Sequence, residues 1–161
     1  AVVHPVSRWM FKCAREEVIA EGIRALQQKG LSVVLTASKD PREIAYNQRV
    51  RKLLDDDVID LSGQISLKEL GALIDHAALL FCVDSVPMHI SSATKTPVVA
   101  LFGPTSEVRW SPWQNPKYHI VKRDLPCRPC YRPGCADSHH SDCILTIDSQ
   151  EVVRAIRELI S

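Results

Sequence analysis

From residue 1 to about residue 101, short apolar runs rich in β-branched side chains alternate with stretches whose apolar positions recur every three or four residues. The runs read as strands and the recurring positions as amphipathic helices. Strands are predicted at 1–5, 32–37, 58–61, 77–83 and 97–102, and helices at 15–28, from 41 onward, at 67–76 and at 87–93. The first helix gathers Val18, Ile19, Gly22, Ile23 and Leu26 on one face, and Lys29-Gly30 ends it because glycine accepts the left-handed conformation. The second opens on Asp40-Pro41 with proline in its first turn, but its apolar positions Ile44, Val50, Leu53 and Leu54 are loosely spaced. Asp55-Asp56-Asp57 reads as a solvated helix end and loop, and Ser66-Leu67-Lys68-Glu69 has the form of a capping box. The run 77–83 is apolar throughout, as a strand covered on both faces requires.

Strands alternating with helices specify an α/β fold, a Rossmann-like parallel sheet with helices on both faces. Such sheets bind ligands beyond the carboxyl ends of their strands. After residue 102 the alternation stops. A cysteine-rich irregular segment at about 124–145 and a C-terminal helix at about 149–160 complete a single domain over 1–161.

Composition narrows the function classes. Hydrophobic residues make up 45% and charged residues 24% of the 161, as in ordinary globular domains, and the net charge of +1 points to no nucleic acid partner. No apolar run approaches the roughly 20 residues that span a bilayer. No basic-then-apolar leader precedes the first strand, so a cytoplasmic location is expected. The chain opens directly on Ala1-Val2-Val3 without methionine, as expected of a fragment beginning at a domain boundary.

Three loops at strand ends carry candidate chemistry. In Asp84-Ser85-Val86-Pro87-Met88-His89 a buried strand gives way to a helix start, whose free amides and dipole favour an anion. Asp84 or Ser85 can cap that helix, and His89 lies one turn in. Alone, this describes an ordinary capped helix with a backbone-satisfied histidine. The loop Ser7-Arg8-Trp9-Met10-Phe11-Lys12 offers a hydroxyl, a guanidinium and an ammonium, the groups that neutralise a diphosphate. After the turn Gly103-Pro104, the Thr105 hydroxyl is positioned to meet a phosphate. Together the three describe a phosphate-bearing ligand laid across the sheet. Glu43, in the first helical turn after the second strand, stands where such sites hold ribose with a carboxylate; it equally suits a helix N-terminus. Cys127, Cys130, Cys135 and Cys143 include a C-x-x-C pair suited to structural zinc, while two disulfides or four reduced thiols remain open alternatives.

These motifs resemble the lipopolysaccharide heptosyltransferases of glycosyltransferase family 9. The likeness is nearest to the branch that adds a side-branch heptose to the inner core. It is carried by Val3-His4-Pro5-Val6-Ser7-Arg8 with Lys12, by Val33-Val34-Leu35-Thr36, and by Glu69-Leu70-Gly71-Ala72-Leu73-Ile74-Asp75-His76. It continues through Val83-Asp84-Ser85 with His89, the run from Thr96 to Thr105, and the cysteine tract ending in Cys143-Ile144. The resemblance covers this whole chain but only the second half of a family member. It implies a GT-B enzyme of two Rossmann-like domains, of which this one binds the donor ADP-heptose. The missing N-terminal domain then takes the lipopolysaccharide core acceptor and supplies the general base, an aspartate, for inverting transfer. The fragment alone is accordingly expected to be inactive.

By the same likeness Ser7, Arg8 and Lys12 would meet the phosphates or heptose, Glu43 the ribose, and Ile65 the adenine. Asp84 would sit by the sugar hydroxyls, with Ser85 and the helix amides on the diphosphate and His89 nearby. No cofactor is implied for catalysis. The full-length protein would work at the inner face of the inner membrane, with peripheral membrane contact. Two departures stand out. Val86 replaces a family glycine, which is expected to hinder close approach of phosphate, and Ala14 replaces a tryptophan, which is expected to loosen packing beneath the first loop. Two other readings are a non-catalytic module using the cysteine cluster for metal or protein, and another GT-B sugar-nucleotide enzyme such as an epimerase.

Overall fold

In the computed structural model, which describes residues 1–160, the alternating runs form one parallel sheet in the order β3-β2-β1-β4-β5-β6. Its strands are β1 (Val2–His4), β2 (Val34–Leu35), β3 (Ile59–Asp60), β4 (Leu80–Val83), β5 (Val98–Phe102) and β6 (Tyr118–Lys122). The helices are α1 (Glu16–Gln28), α2 (Pro41–Arg51), α3 (Leu67–Asp75), α4 (Val86–Thr94), the short α5 (Glu107–Trp110) and α6 (Asp142–Leu145), and α7 (Ser149–Leu159). The strand order turns back between β1 and β4, and those two strands pair in register with Val3 opposite Phe81 and His4 opposite Cys82.

Alternate residues of each strand enter different cores, as the pleat dictates. Val3, Phe81, Val83, Val99 and Leu101 join Ile19, Ile23 and Leu26 of α1 and Val152 and Ile156 of α7. Val2, Leu80, Cys82, Val98, Ala100 and Phe102 face Leu70 and Ile74 of α3 and Met88 of α4. Each large side chain buried this way contributes about 1.5–3 kcal/mol. Burial also pushes the Cys13 thiol up to about 12 and raises that of Cys82, so both behave as small apolar residues. Gly22 is what lets α1 lie close on β4: a methyl group there would collide with the Phe81 ring.

Local signals are realised in detail. Gly30, at a φ of 76°, closes α1 with a Schellman pair, its own N–H bonding Gln27 O and that of Leu31 bonding Leu26 O. Asp40 caps α2, and both halves of the Ser66–Glu69 capping box are formed. Three expectations change. The series does not stop at residue 102, because β6 adds a sixth strand. Helix α2 ends at Arg51, before Leu53 and Leu54, and its inward face is largely polar. There Asn47 Nδ2 donates to Thr36 O and Ser62 Oγ, and Tyr46 Oη donates to Ala14 O at 2.7 Å. With that last bond Tyr46 covers Ala14, which is 3% exposed, from the α2 side.

Candidate functional site

The reversal of strand order parts the loops leaving β1 and β4, and crevices at such reversals are where open α/β sheets take ligands. A cleft of about 860 Å³ lies there. It is lined by Ser7, Arg8, Trp9 and Lys12 after β1, by Asp84, Ser85, Val86 and His89 after β4, and by Glu43, Ile65 and Leu67 from the β2–β3 side. Eight of the nine donor-site residues expected from sequence border it; Thr105 does not.

At its centre is an ion pair. Lys12 Nζ lies 2.7 Å from Asp84 Oδ2, with the two side chains 16% and 7% exposed. The Thr105 hydroxyl donates to the same oxygen at 2.6 Å. Thr105 is therefore a support behind Asp84 rather than a lining residue, because its hydroxyl is spent on the carboxylate. With both bonds on Oδ2, Oδ1 remains for a ligand hydroxyl, and the Lys12 ammonium, with three protons, can serve a phosphate while keeping Asp84.

The start of α4 differs from expectation. Neither Asp84 nor Ser85 caps it: Asp84 is engaged as above, and Ser85 Oγ donates back to Val83 O at 3.2 Å. Pro87 has no N–H, and that of Met88 bonds Ser85 O, so few amides are left for an anion. Val86 is absent from the positive-φ positions, so it sits in ordinary helical backbone, and its side chain, 57% exposed, borders the cleft. The scarcity of donors at this helix start comes from Pro87, and the cationic side chains bordering the cleft there are Arg8 and Lys12 of the first loop. There Ser7 Oγ accepts from Trp9 N at 3.3 Å, and the Arg8 guanidinium sits 5.7 Å from the Trp9 ring centre. His89 is exposed and meets Trp110 edge-on at 6.2 Å.

On the β2 side, Glu43 is 3% exposed and its Oε2 accepts from Ser38 N at 2.8 Å, which fixes the carboxylate at the cleft wall. Sequence reasoning did not single out His4, Thr36 or Trp110 as site residues, although all three line the cleft. His4 Nδ1 lies 2.9 Å from Thr36 Oγ1, and burial lowers its pKa to about 4, so it is neutral at neutral pH. Their signal was positional: His4 ends β1 and Thr36 follows β2, at the carboxyl edge.

The cysteine segment sits apart from the cleft lining. Cys127 is exposed, Cys130 and Cys135 are half-buried, and Cys143 is buried; all four are free thiols. Burial raises Cys143 to about 11, with the other three thiols adding to the rise and Arg128 opposing it. Among the described residues, no three His, Cys, Asp or Glu side chains are gathered so as to hold a metal ion. No helix among them is long and apolar enough to cross a membrane.

Comparison with known proteins bears on this arrangement. The family model for glycosyltransferase family 9 (heptosyltransferase) matches residues 1–140. Lipopolysaccharide heptosyltransferase 3 of Escherichia coli is 43% identical over 113 residues, which is 70% of this chain and 33% of that protein. The solved ADP-heptose lps heptosyltransferase II of E. coli superposes with a TM-score of 0.80 at 21% identity, over 99% of this chain and 45% of that one. A dodecameric iron-containing heptosyltransferase, TibC, solved in complex with ADP-D-beta-D-heptose, gives a TM-score of 0.64 at 16% identity over 98% of this chain and 44% of that one. At such identities the superpositions speak for the fold. The match with the curated relative spans about a third of that protein's length.

Proposed function

The chain belongs to glycosyltransferase family 9, and we propose that it is the donor-binding half of a lipopolysaccharide heptosyltransferase, taking ADP-heptose in the cleft between β1 and β4. The observation that carries this reading is the Lys12–Asp84 pair at the point where the strand order reverses. It sets a cation for a diphosphate beside a carboxylate with one oxygen open to sugar hydroxyls. In this reading Lys12, Arg8 and Ser7 face the diphosphate, Glu43 the ribose, and Ile65 with Leu67 the adenine. The full enzyme is then of GT-B architecture, with an N-terminal domain that binds the lipopolysaccharide core and provides a carboxylate base. The acceptor oxygen bonds to the anomeric carbon as the bond to ADP breaks, the acceptor proton passes to that base, and configuration inverts. Lys12 and Arg8 stabilise the charge gathering on departing ADP. A cytoplasmic enzyme working at the inner face of the inner membrane fits this chemistry.

Calorimetry tests the reading. ADP and ADP-heptose should bind the chain, UDP-sugars should bind more weakly, and Lys12→Ala should cost about 1.5–3 kcal/mol of ADP affinity, the range for a charge-assisted hydrogen bond. Equal binding of all sugar nucleotides would favour another GT-B sugar-nucleotide enzyme, and unchanged ADP affinity in the variant would remove Lys12 from the site.

A structural metal on Cys127, Cys130, Cys135 and Cys143 is a separate proposal. It is supported by the C-x-x-C spacing of Cys127 and Cys130. As described, the four side chains do not yet converge, so a metal would have to draw them in. Metal analysis of the purified chain decides it: one zinc or iron per chain supports the site, and none refutes it. Metal bound without any nucleotide affinity would instead favour a non-catalytic module.

A further inference from the structure

The segment after β6 crosses over the turn that leaves β5 and takes up the carbonyls of Gly103-Pro104-Thr105. Arg128 Nε donates to Gly103 O at 2.6 Å and Arg128 Nη2 to Thr105 O at 3.1 Å. Between them, the backbone N–H groups of Cys130 and Tyr131 both donate to Pro104 O, at 3.1 and 3.0 Å. The Arg128 side chain is only 4% exposed, and Nη2 also lies 3.2 Å from Glu107 Oε2. Burying a guanidinium is costly unless its donors are matched, and here a planar fork spans two carbonyls that a lysine ammonium could not reach together.

The turn is buried, with Gly103 packed against Ile144, but glycine and proline offer no side-chain donor to fix its direction. It nevertheless delivers the Thr105 hydroxyl onto Asp84 Oδ2, the oxygen that holds Lys12. Neither Arg128 nor Thr105 borders the cleft. A continuous run of bonds thus leads from the cysteine segment to the centre of the site without a single ligand-contacting member until Asp84.

We propose that Arg128 is a positioning residue for the donor site: by fixing the Gly103–Thr105 turn it holds the Thr105 hydroxyl on Asp84 and so sets the Asp84–Lys12 pair. The proposal rests on reading the cleft as a nucleotide-sugar site. It gives the cysteine segment a role in donor binding through structure, whatever the state of its thiols.

Two readouts test it, the carboxyl-carbon NMR signal of Asp84 in the ligand-free chain and the dissociation constant for ADP by calorimetry. Arg128→Ala should displace the Asp84 signal and weaken ADP on the order of three- to tenfold, the effect of one mis-set hydrogen bond. Arg128→Lys, which keeps the charge but not the fork, should move both in the same direction by less, and it decides the matter if the alanine variant fails to fold. In a Thr105→Val background, adding Arg128→Lys should change neither readout further, because the route through the hydroxyl is already cut. Further loss in that double variant would mark Arg128 as merely structural and overturn the proposal, as would an unmoved Asp84 signal in Arg128→Lys. Failure of the parent chain to bind ADP would overturn the nucleotide-site reading instead, and the Asp84 signal would still decide whether Arg128 governs the carboxylate.

Discussion

The turns that leave β4 and β5 emerge side by side at the same edge of the sheet, and Val83 of one strand pairs with Leu101 of the other. The turn at Asp84 is held from below. Phe81, Cys82 and Val83 are fully buried, and the chain passes at once into α4, whose Met88 is buried as well. The turn at Thr105 leaves an equally buried strand, with Ala100, Leu101 and Phe102 at 0% exposure, and is held in addition from the side, by donors of residues 128–131 on its three carbonyls. Apolar burial fixes where a strand ends but leaves the last side chain free to choose its direction. Directional polar bonds fix the direction, and Asp84 is aimed by Lys12 and by Thr105, which come from two different loops. Placement and aim are separate properties here, with separate physical causes.

Substitutions can separate them. Phe81→Ala attacks placement. It should cost about 3–5 kcal/mol of global stability by urea unfolding, with both turns lost together, because the ring fills the space between β4 and Gly22. A loss under about 1 kcal/mol would mean that burial beneath β4 is not what anchors the first turn.

Acid attacks placement through His4. Its folded pKa of about 4 lies below the ordinary value near 6.5, so the unfolded chain binds the proton more readily. The contribution is fully present above about pH 6.5 and is lost as pH falls toward 4, by at most about 3 kcal/mol. Urea midpoints between pH 7 and pH 4 should therefore fall less for His4→Gln than for the parent chain. Equal falls would show that His4 does not titrate as a buried imidazole.

Thr105→Val attacks aim alone. Losing the hydroxyl should cost about 0.5–1.5 kcal/mol of stability and weaken ADP while leaving the far-UV spectrum unchanged. Unaltered ADP affinity would detach Thr105 from the site. The smallest effect belongs to Val86→Gly. Since Pro87 already removes an amide from this helix start and Val86 has an ordinary backbone, ADP affinity should change by less than about threefold, and a tenfold gain would show that the Val86 side chain blocks phosphate.

The same distinction explains what could be read from the sequence. Burial leaves a periodic trace, so β1 through β5, the faces of α1 and α3, and the loops that border the cleft were legible. Polar aim leaves none. Lys12 and Asp84 are 72 positions apart and meet only once the strand order is known. The inward face of α2 was legible only at Val50, because the rest of it is built from Glu43, Asn47 and Tyr46. Strand β6 escaped for a related reason: it lies at the sheet edge with Tyr118 45% exposed, so Tyr118–Lys122 shows only a brief apolar pair. Thr105 was recognised as important but given the wrong partner, since a hydroxyl near a strand end serves a phosphate or a carboxylate equally well on sequence grounds. Arg128 gave no signal beyond an arginine beside two cysteines.

In the proposed reading the cleft between β1 and β4 holds a nucleotide diphosphate on the Lys12–Asp84 pair. A crystal structure of the chain with ADP tests it most directly. Phosphate density is expected within hydrogen-bonding reach of Lys12 Nζ and Ser7 Oγ, with ribose at Glu43 and adenine against Ile65. ADP bound elsewhere, or in the cleft with its phosphates away from Lys12, would contradict it.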